Sequence, residues 1–480
     1  MQIHIVLHIL GILLIFLALT MLFPLPFSWY YSDGCLLAFL TSSVLTFSIG
    51  FLLFKLTKLE QEVRSREGFA IVTLAWVSFS AFGSLPFIFS GSMPNLTDAF
   101  FETMSGFTTT GATILTNVES LPPSILFWRS LTHWLGGMGI IVLSIAILPF
   151  LGVGGMQLFK AEVPGPVPDK LTPRVTETAK ILWGVYLLFS ALETFLLLLG
   201  GMNLFEALCH TFGTMATGGF STKNNSIGAY NSPFIDYVII FFMISAGINF
   251  SLHYQFLNRD FKTYFRNREF LMFAALILGG TLFIFFDVWQ RHFSDVEISF
   301  RRSLFQTVAI LTTTGYTTAD YEQWSFSSQF ILFLFMLIGG CAGSTGGGMK
   351  IIRLYVLIQF VRTEIKKLLH PKAIIQLRVG ERVIPKEIVM NILGFLALMS
   401  GLFVGGVLIM TFLGLDFTSA LGAVAASLGN IGPGLGTVGP ADNYAHIPIL
   451  GKWVLSFLML VGRLEIYTVL ILLAPSFWQK

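Results

Sequence analysis

Four short stretches of this sequence carry groups that could bind an ion. They are T-T-T-G-A-T at 108–113, T-G-G-F-S-T at 217–222, T-T-G-Y-T-T at 313–318 and N-I-G-P-G-L at 430–435. Aligned on one glycine each, they place Gly111, Gly219, Gly315 and Gly432 at separations of 108, 96 and 117 residues. In the second stretch Gly218 is an alternative central glycine, and the alignment of Phe220 with Tyr316 favours Gly219. Glycine permits backbone angles that aim successive carbonyls at one point. Threonine adds a hydroxyl and stiffens its neighbours. Carbonyls arranged in this way can replace the hydration shell of an ion. No carboxylate or lysine lies inside the four stretches. Selection would then rest on carbonyl geometry, which suits a monovalent cation, because hard divalent cations usually recruit carboxylates.

The elements that must hold these loops lie in a membrane. Of the 480 residues, 54% are hydrophobic and 11% are charged, with a mean hydropathy of +0.77. That composition marks a polytopic membrane protein. The net charge of +3 is unclustered and gives no nucleic-acid footprint. Cys35, Cys209 and Cys341 have no metal-ligand or disulfide spacing, and the eight histidines have none either. They read as packing residues. The apolar run at 3–23 is long enough to span and has no basic region before it, so it reads as a retained helix.

A spacing near one hundred residues is too long for a solenoid repeat and fits two membrane helices joined by a re-entrant segment. The expected fold is an all-α polytopic membrane protein. Four pseudo-symmetric helix–pore loop–helix repeats surround one pore, and an N-terminal helical hairpin is added outside them. The hairpin and its connector take 1–67, and the repeats take 68–160, 161–258, 259–370 and 371–480. Pore helices are expected at 96–107, 203–216, 297–311 and 416–429, each just before its loop. Outer helices are expected near 68–90, 180–200, 270–290 and 387–412 and inner helices near 128–150, 232–257, 326–360 and 453–478, giving ten spans with the hairpin. With the N-terminus cytoplasmic, twenty-two of the 29 Lys and Arg fall on inward segments and six on outward ones. That bias follows the positive-inside rule and puts both termini in the cytoplasm and the four loops near the outer side.

Two further features stand apart. The run G-G-C-A-G-S-T-G-G-G at 339–348 has six glycines in ten residues and interrupts the third inner helix. Glycine costs about 1 kcal/mol each in a helix relative to alanine, so the helix should break there. Close packing of small residues is one use for such a run, and a non-helical segment lining a cavity is the other. Arg463 lies deep within the last span, where a charge is costly. Glu465, two residues on, points to another face and is a poor partner. Asp98, Glu102 and Glu206 lie on pore helices and read as caps, as tuning charges at the outer mouth, or as solvated surface. No Walker, Rossmann or triad pattern is present, and the chain does not read as an enzyme.

The chain resembles the TrkH/TrkG family, the membrane subunits of bacterial Trk potassium uptake systems within the Trk/Ktr/HKT superfamily. The matching stretches are S-R-E-G-F at 65–69, F-T-T-T-G-A-T at 107–113, G-G-M-G-I-I-V-L at 136–143, L-P-F-L-G-V-G-G-M-Q-L at 148–158, I-G-G-C-A-G-S-T-G-G-G-M-K at 338–350, N-I-G-P-G-L-G at 430–436 and G-R-L-E at 462–465. The resemblance implies potassium uptake across the inner (cytoplasmic) membrane. It implies a K⁺-binding filter at Thr109, Thr110 and Gly111, at Thr217, Gly218 and Gly219, at Thr313, Thr314 and Gly315, and at Asn430, Ile431 and Gly432. Gly434 stands where the other loops have Ser or Thr, so the fourth quarter should be asymmetric. The resemblance also implies an intramembrane gate at Gly339, Gly340, Cys341, Ala342, Gly343, Ser344, Thr345, Gly346, Gly347 and Gly348, with Arg463 beside it. The implied partners are a cytoplasmic nucleotide-binding regulatory subunit of TrkA type, a second copy of the chain in a homodimer, and membrane lipid. K⁺ is the transported ion, and no organic cofactor is implied. A secondary symporter coupling K⁺ to H⁺ or Na⁺ is the alternative, since such carriers also use broken helices and midplane charges.

Overall fold

A computed structural model describes residues 2–58, 65–139, 175–292, 294–372, 375–379 and 382–479. The far end of the first inner helix, the motif at 148–158 and the repeat boundary at 160 lie outside the described residues. The architecture is helical, apart from a two-residue antiparallel pair joining Arg378–Val379 to Arg382–Val383.

The N-terminal hairpin pairs Ile3–Thr20 with Leu36–Leu56, with a short helix Leu25–Tyr31 at the turn. Gly11 and Gly50 let these two backbones touch. A methyl on Gly11 would stand 2.7 Å from Gly50 O, and one on Gly50 would stand 2.8 Å from Gly11 O. Small residues permit this close approach, and dispersion between the backbones replaces the missing hydrophobic drive in lipid.

Each repeat then follows one order. Outer helices run over Ser65–Gly83 (extended by Leu85–Phe89), Val175–Leu199, Arg268–Arg291 and Lys386–Phe412. Short re-entrant helices follow at Leu96–Phe107, Leu204–Met215, Val296–Leu311 and Phe417–Gly429. All four have an Asx N-cap: Asn95 accepts from Thr97 N, Asn203 from Glu206 N, Asp295 from Ile298 N and Asp416 from Ser419 N, at 2.8–3.1 Å. These caps satisfy donors that no earlier turn can reach.

The inner helices differ from the continuous spans expected. The first, Pro123–Trp134, runs into a π-turn at Leu135–Gly139 with Gly137 non-helical. The second bends by 103° between Pro233–Gly247 and Phe250–Leu257. The third is split into Phe326–Met336 and Ile351–Leu369 by the glycine run. The fourth ends at Arg463 and restarts at Tyr467, with Glu465 and Ile466 at positive φ. All four therefore break at one level, where the sequence marks only the third. Six helices among the described residues are long and apolar enough to cross a membrane, two from the hairpin and four outer ones. Among the described residues no piece of a broken inner helix qualifies, and Ile351–Leu369, at 19 residues, is too highly charged. Arg129 and Lys350, counted on connectors by the charge pattern, are both buried within the helical body.

The hairpin contact gives a direct test. Gly11→Leu would press a side chain into the facing backbone, and overpacking of this kind costs about 1–3 kcal/mol. Thermal unfolding in detergent should show a midpoint several degrees lower for Gly11→Leu than for Gly401→Leu, because Gly401 faces open space.

Candidate functional site: the four loops and the segment beneath them

The end of each re-entrant helix sets the loop that follows. A residue in the left-handed region stops each helix: Thr109, Thr217, Thr313 and Asn430, with φ of 50°, 54°, 61° and 54°. The next N–H then reaches back five residues. Thr110 N donates to Ser105 O, Gly218 N to Gly213 O, Thr314 N to Ala309 O and Ile431 N to Ala426 O, at 2.8–2.9 Å. This is the Schellman closure, usually made with glycine. A β-branched residue rarely takes that conformation, and three threonines holding it mark backbone held against its preference. Because the amides point back into the helix, the carbonyls of the loop are left to face elsewhere.

Two residues further on, Gly111, Gly219, Gly315 and Gly432 are again at positive φ, between 75° and 103°. Gly219, not Gly218, is thus the equivalent glycine. The four glycines close a ring. A methyl on Gly111 would strike Gly218 O, one on Gly219 would strike Thr314 O, one on Gly315 would strike Ile431 O, and one on Gly432 would meet Thr110 O. Each loop therefore lies against the next in the order one, two, three, four, one. A recess that also reaches Lys223 and Asp442 is lined by all four glycines.

Hydroxyls brace this ring from within. Thr108 pairs with Thr110, and Thr312 with Thr314, each Oγ1 to Oγ1 at 2.8 Å. Asn430 Nδ2 crosses to Thr110 Oγ1 at 2.9 Å and also donates to Met459 O at 2.9 Å. The fourth loop departs from the others. Gly432 O accepts from Tyr444 OH at 2.7 Å, and Gly434 O accepts from Tyr321 OH at 2.8 Å.

The glycine run at 339–348 lies directly below this ring. Its ends are joined, with Gly339 N donating to Met349 O at 2.9 Å and Ile351 N to Gly340 O at 3.2 Å. Its middle touches the second, third and fourth repeats. Gly347 N donates to Thr313 Oγ1 at 2.7 Å, and a methyl on Gly347 would meet Gly429 O at 2.6 Å. Thr345 Oγ1 donates to Met215 O at 3.0 Å and Ala246 O at 3.1 Å. Cys341 N and Thr345 N donate to Gly247 O and Ala246 O, at the break of the second inner helix. Phe250 N, past that break, donates back to Gly343 O at 3.0 Å. Two interrupted helices so complete each other's backbone pairing, as a site without water requires.

Arg463 joins the first repeat to this segment. Its Nη1 donates to Thr345 O at 2.8 Å, and its Nη2 to Gly136 O at 2.7 Å and Gly137 O at 3.3 Å. Glu465 pairs instead with Arg353, from the left-handed break beyond the helix end.

Several residues of this site carry no sequence signal of their own. Glu269 Oε1 accepts from Ala342 N at 2.7 Å and Ile352 N at 3.0 Å, clamping both ends of the glycine run. Lys350 Nζ donates to Gly346 O. Above the ring, Glu102 and Arg129 form a fully buried pair at 2.6 Å. This Glu102 is no solvated surface residue. The Arg129 guanidinium also lies 3.5 Å from the centre of the Phe220 ring. Asp98 pairs with Lys452 at 2.6 Å and Glu206 with Lys223 at 3.1 Å. On the outer loop, burial pushes the Glu322 carboxyl up from its ordinary range, and the N–H of Gly436 opposes that rise. The one usable sequence sign was a charge inside an apolar stretch, which applies to Arg129 and Glu102 as much as to Arg463.

Residues 37–480 match the model of a family described as TrkH, cation transport protein. The chain is 43% identical over 479 residues to the Trk system potassium uptake protein TrkH of Salmonella typhimurium, covering 98% of this chain and 99% of that one. It is 36% identical over 484 residues to the Trk system potassium uptake protein TrkG of Escherichia coli, covering 100% and 99%. The crystal structure of the potassium transporter TrkH from Vibrio parahaemolyticus superposes with a TM-score of 0.90 at 39% identity, covering 100% of both chains.

The ring makes opposite demands at neighbouring positions. Gly219→Ala drives a methyl into Thr314 O and should lower the thermal midpoint in detergent by several degrees. Thr217→Gly removes a side chain from a left-handed position, where the relief is about 1 kcal/mol, and should leave the midpoint unchanged or slightly raised. A larger loss for Thr217→Gly than for Gly219→Ala would contradict the ring contacts.

Proposed function

This chain belongs to the TrkH family of cation transport proteins, and from that premise we propose that it takes up K⁺ through a gated pore along the axis of its four repeats. The observation that carries this reading is the closed ring of Gly111, Gly219, Gly315 and Gly432, each against the carbonyl of the next loop. The K⁺-binding filter comprises Thr109–Gly111, Thr217–Gly219, Thr313–Gly315 and Asn430–Gly432. Backbone carbonyls there stand in for the ion's water, with the C-terminal, partly negative ends of four helices behind them. The strained threonines support the reading, because strain persists where the surroundings over-determine it and often marks function. The fourth quarter contributes less evenly, since the Gly432 carbonyl is already engaged by Tyr444.

The gate is the segment Gly339–Gly348, and Arg463 holds it shut. The support is geometric: the segment fills the space below the ring, and Arg463 bridges it to the first repeat. An always-charged guanidinium with several donors both satisfies the free carbonyls and places a positive charge on the ion path. Opening requires Thr345 O, Gly136 O and Gly137 O to lose that donor together. The regulator is a cytoplasmic nucleotide-binding subunit of TrkA type, which would act on Ile351–Leu369, the helix that continues from the segment. The chain sits in the bacterial inner membrane as a homodimer with cytoplasmic termini.

The experiment is cation flux into liposomes containing the purified membrane subunit alone, with reversal potentials under separate K⁺, Na⁺ and H⁺ gradients. Potentials that follow K⁺ alone support a pore, and potentials that shift with H⁺ or Na⁺ at fixed K⁺ support coupled symport. Gly→Ser at 111, 219, 315 or 432 should weaken K⁺ preference over Na⁺, and unchanged ratios in all four would exclude this filter. Arg463→Ala, or a shortened glycine run, should raise flux without the regulatory subunit while preserving selectivity. Wild-type flux in both folded variants would make the segment mere packing.

A further inference from the structure

The filter strands do not hold themselves in place. Beyond its glycine each loop runs on as a short non-helical stretch, its ascending strand, whose polar groups need partners behind it. In the first repeat the acceptor is Glu102, which takes Thr113 Oγ1 at 2.9 Å and Ile114 N at 2.9 Å. In the second it is His210 acting through a hydroxyl: its Nε2 pairs with Ser221 Oγ at 3.0 Å, and that Oγ accepts from Lys223 N at 3.0 Å. In the third it is Gln306. With its amide turned so that oxygen meets donors, it accepts from Thr318 N at 2.9 Å and Ala319 N at 3.3 Å. All three are fully buried. Each stands seven residues before the left-handed residue that ends its helix, namely Thr109, Thr217 and Thr313.

The same position in the fourth repeat is Ala423, which has no polar atom to offer. The fourth strand is held from outside its repeat. Gly436 N donates to Glu322 Oε1 at 2.5 Å, and Glu322 lies on the outer turn Tyr321–Gln323 of the third repeat. The neighbouring Tyr321 holds the same strand at Gly434 O.

We propose that Glu102, His210, Gln306 and Glu322 form one ring of positioning residues that sets ion discrimination by fixing the ascending strands, with Glu322 replacing in trans the group that Ala423 lacks. This rests on the filter reading above. Its physical basis is that carbonyl geometry, not side-chain charge, does the selecting. A strand that loses its rear acceptor can rotate, and its carbonyls turn with it. The four members also differ in chemistry. Glu102 is locked by Arg129, which in turn donates to Ser221 O at 2.9 Å and so ties the first strand to the second. Glu322 has no such buried cation and stands half-exposed. The fourth strand is therefore the least tightly held, on the quarter that already departs from the fourfold pattern.

The test uses the full chain in liposomes and reads the K⁺/Na⁺ permeability ratio from reversal potentials, beside the K⁺ flux. Glu322→Ala and Gln306→Leu remove the acceptor, while Glu322→Gln keeps one. Loss of such a hydrogen bond should lower the ratio by about threefold or more in the first two. Glu322→Gln should stay near the wild-type ratio. Reduced flux at an unchanged ratio in Glu322→Ala would mean a merely structural role and overturn the proposal. If gel filtration shows Glu322→Ala to be misfolded, Gln306→Leu and Glu322→Asp, which shortens the reach, decide by the same criterion. Wild-type vesicles with no K⁺ preference would sink the filter reading instead, which keeps the two failures distinct.

Discussion

Backbone groups removed from water must find partners, and most of this structure follows from how that demand is met at the centre of the fold. Four helices end in mid-body, and four others break there. The re-entrant helices close on themselves, each through a left-handed residue and an N–H that reaches back five positions. That closure uses up the amides and leaves carbonyls over. The broken helices are completed by one another: Ala246 and Gly247 receive N–H groups from the glycine run, and Gly343 receives one from Phe250. Where no N–H is available, Arg463 supplies the donors.

The same constraint links the glycine ring to the segment below it. The segment below the ring is attached to the ring itself, since Gly347 N donates to the hydroxyl of Thr313, one of the left-handed residues. Any movement of the segment would thus remove a partner from a residue of the ring. Thr109 Oγ1 and Asn430 Oδ1, at equivalent places in repeats one and four, are buried and have no hydrogen-bond partner among the described residues. The underside of the ring therefore differs in each quarter, although its backbone conformation is repeated four times.

The asymmetry has a consistent location. The fourth loop loses a carbonyl to Tyr444, takes its rear acceptor from the third repeat, and carries asparagine where the others carry threonine. Asn430 compensates by reaching across to Thr110. The Asn430 amide bridges two loops, whereas the Thr108–Thr110 and Thr312–Thr314 hydroxyl pairs each stay within one. The fourfold axis is thus a property of the backbone, and side chains break it.

The sequence by itself determined the membrane class, the four repeats and the re-entrant helices. Leu96–Phe107 matches its expected bounds, and the other three lie within a residue of theirs at each end. These are local properties: apolar runs, Asx caps and glycine-bearing stops act within a few residues of themselves. The break in the third inner helix was legible for the same reason, because six glycines cannot sustain a helix. Only the tertiary structure decided the rest. The first inner helix breaks at the shorter cluster Gly136, Gly137 and Gly139, and the second and fourth break with no glycine cluster, because partners distant in sequence take up the freed backbone groups. The Glu102–Arg129 pair spans 27 residues and the Gly436–Glu322 bond 114, and neither has a periodicity to betray it. Arg463 was visible as a charge in an apolar stretch, but its partners, Thr345 and Gly136, lie 118 and 327 residues away. A single sequence records which groups must be satisfied, and the packing alone selects which groups satisfy them.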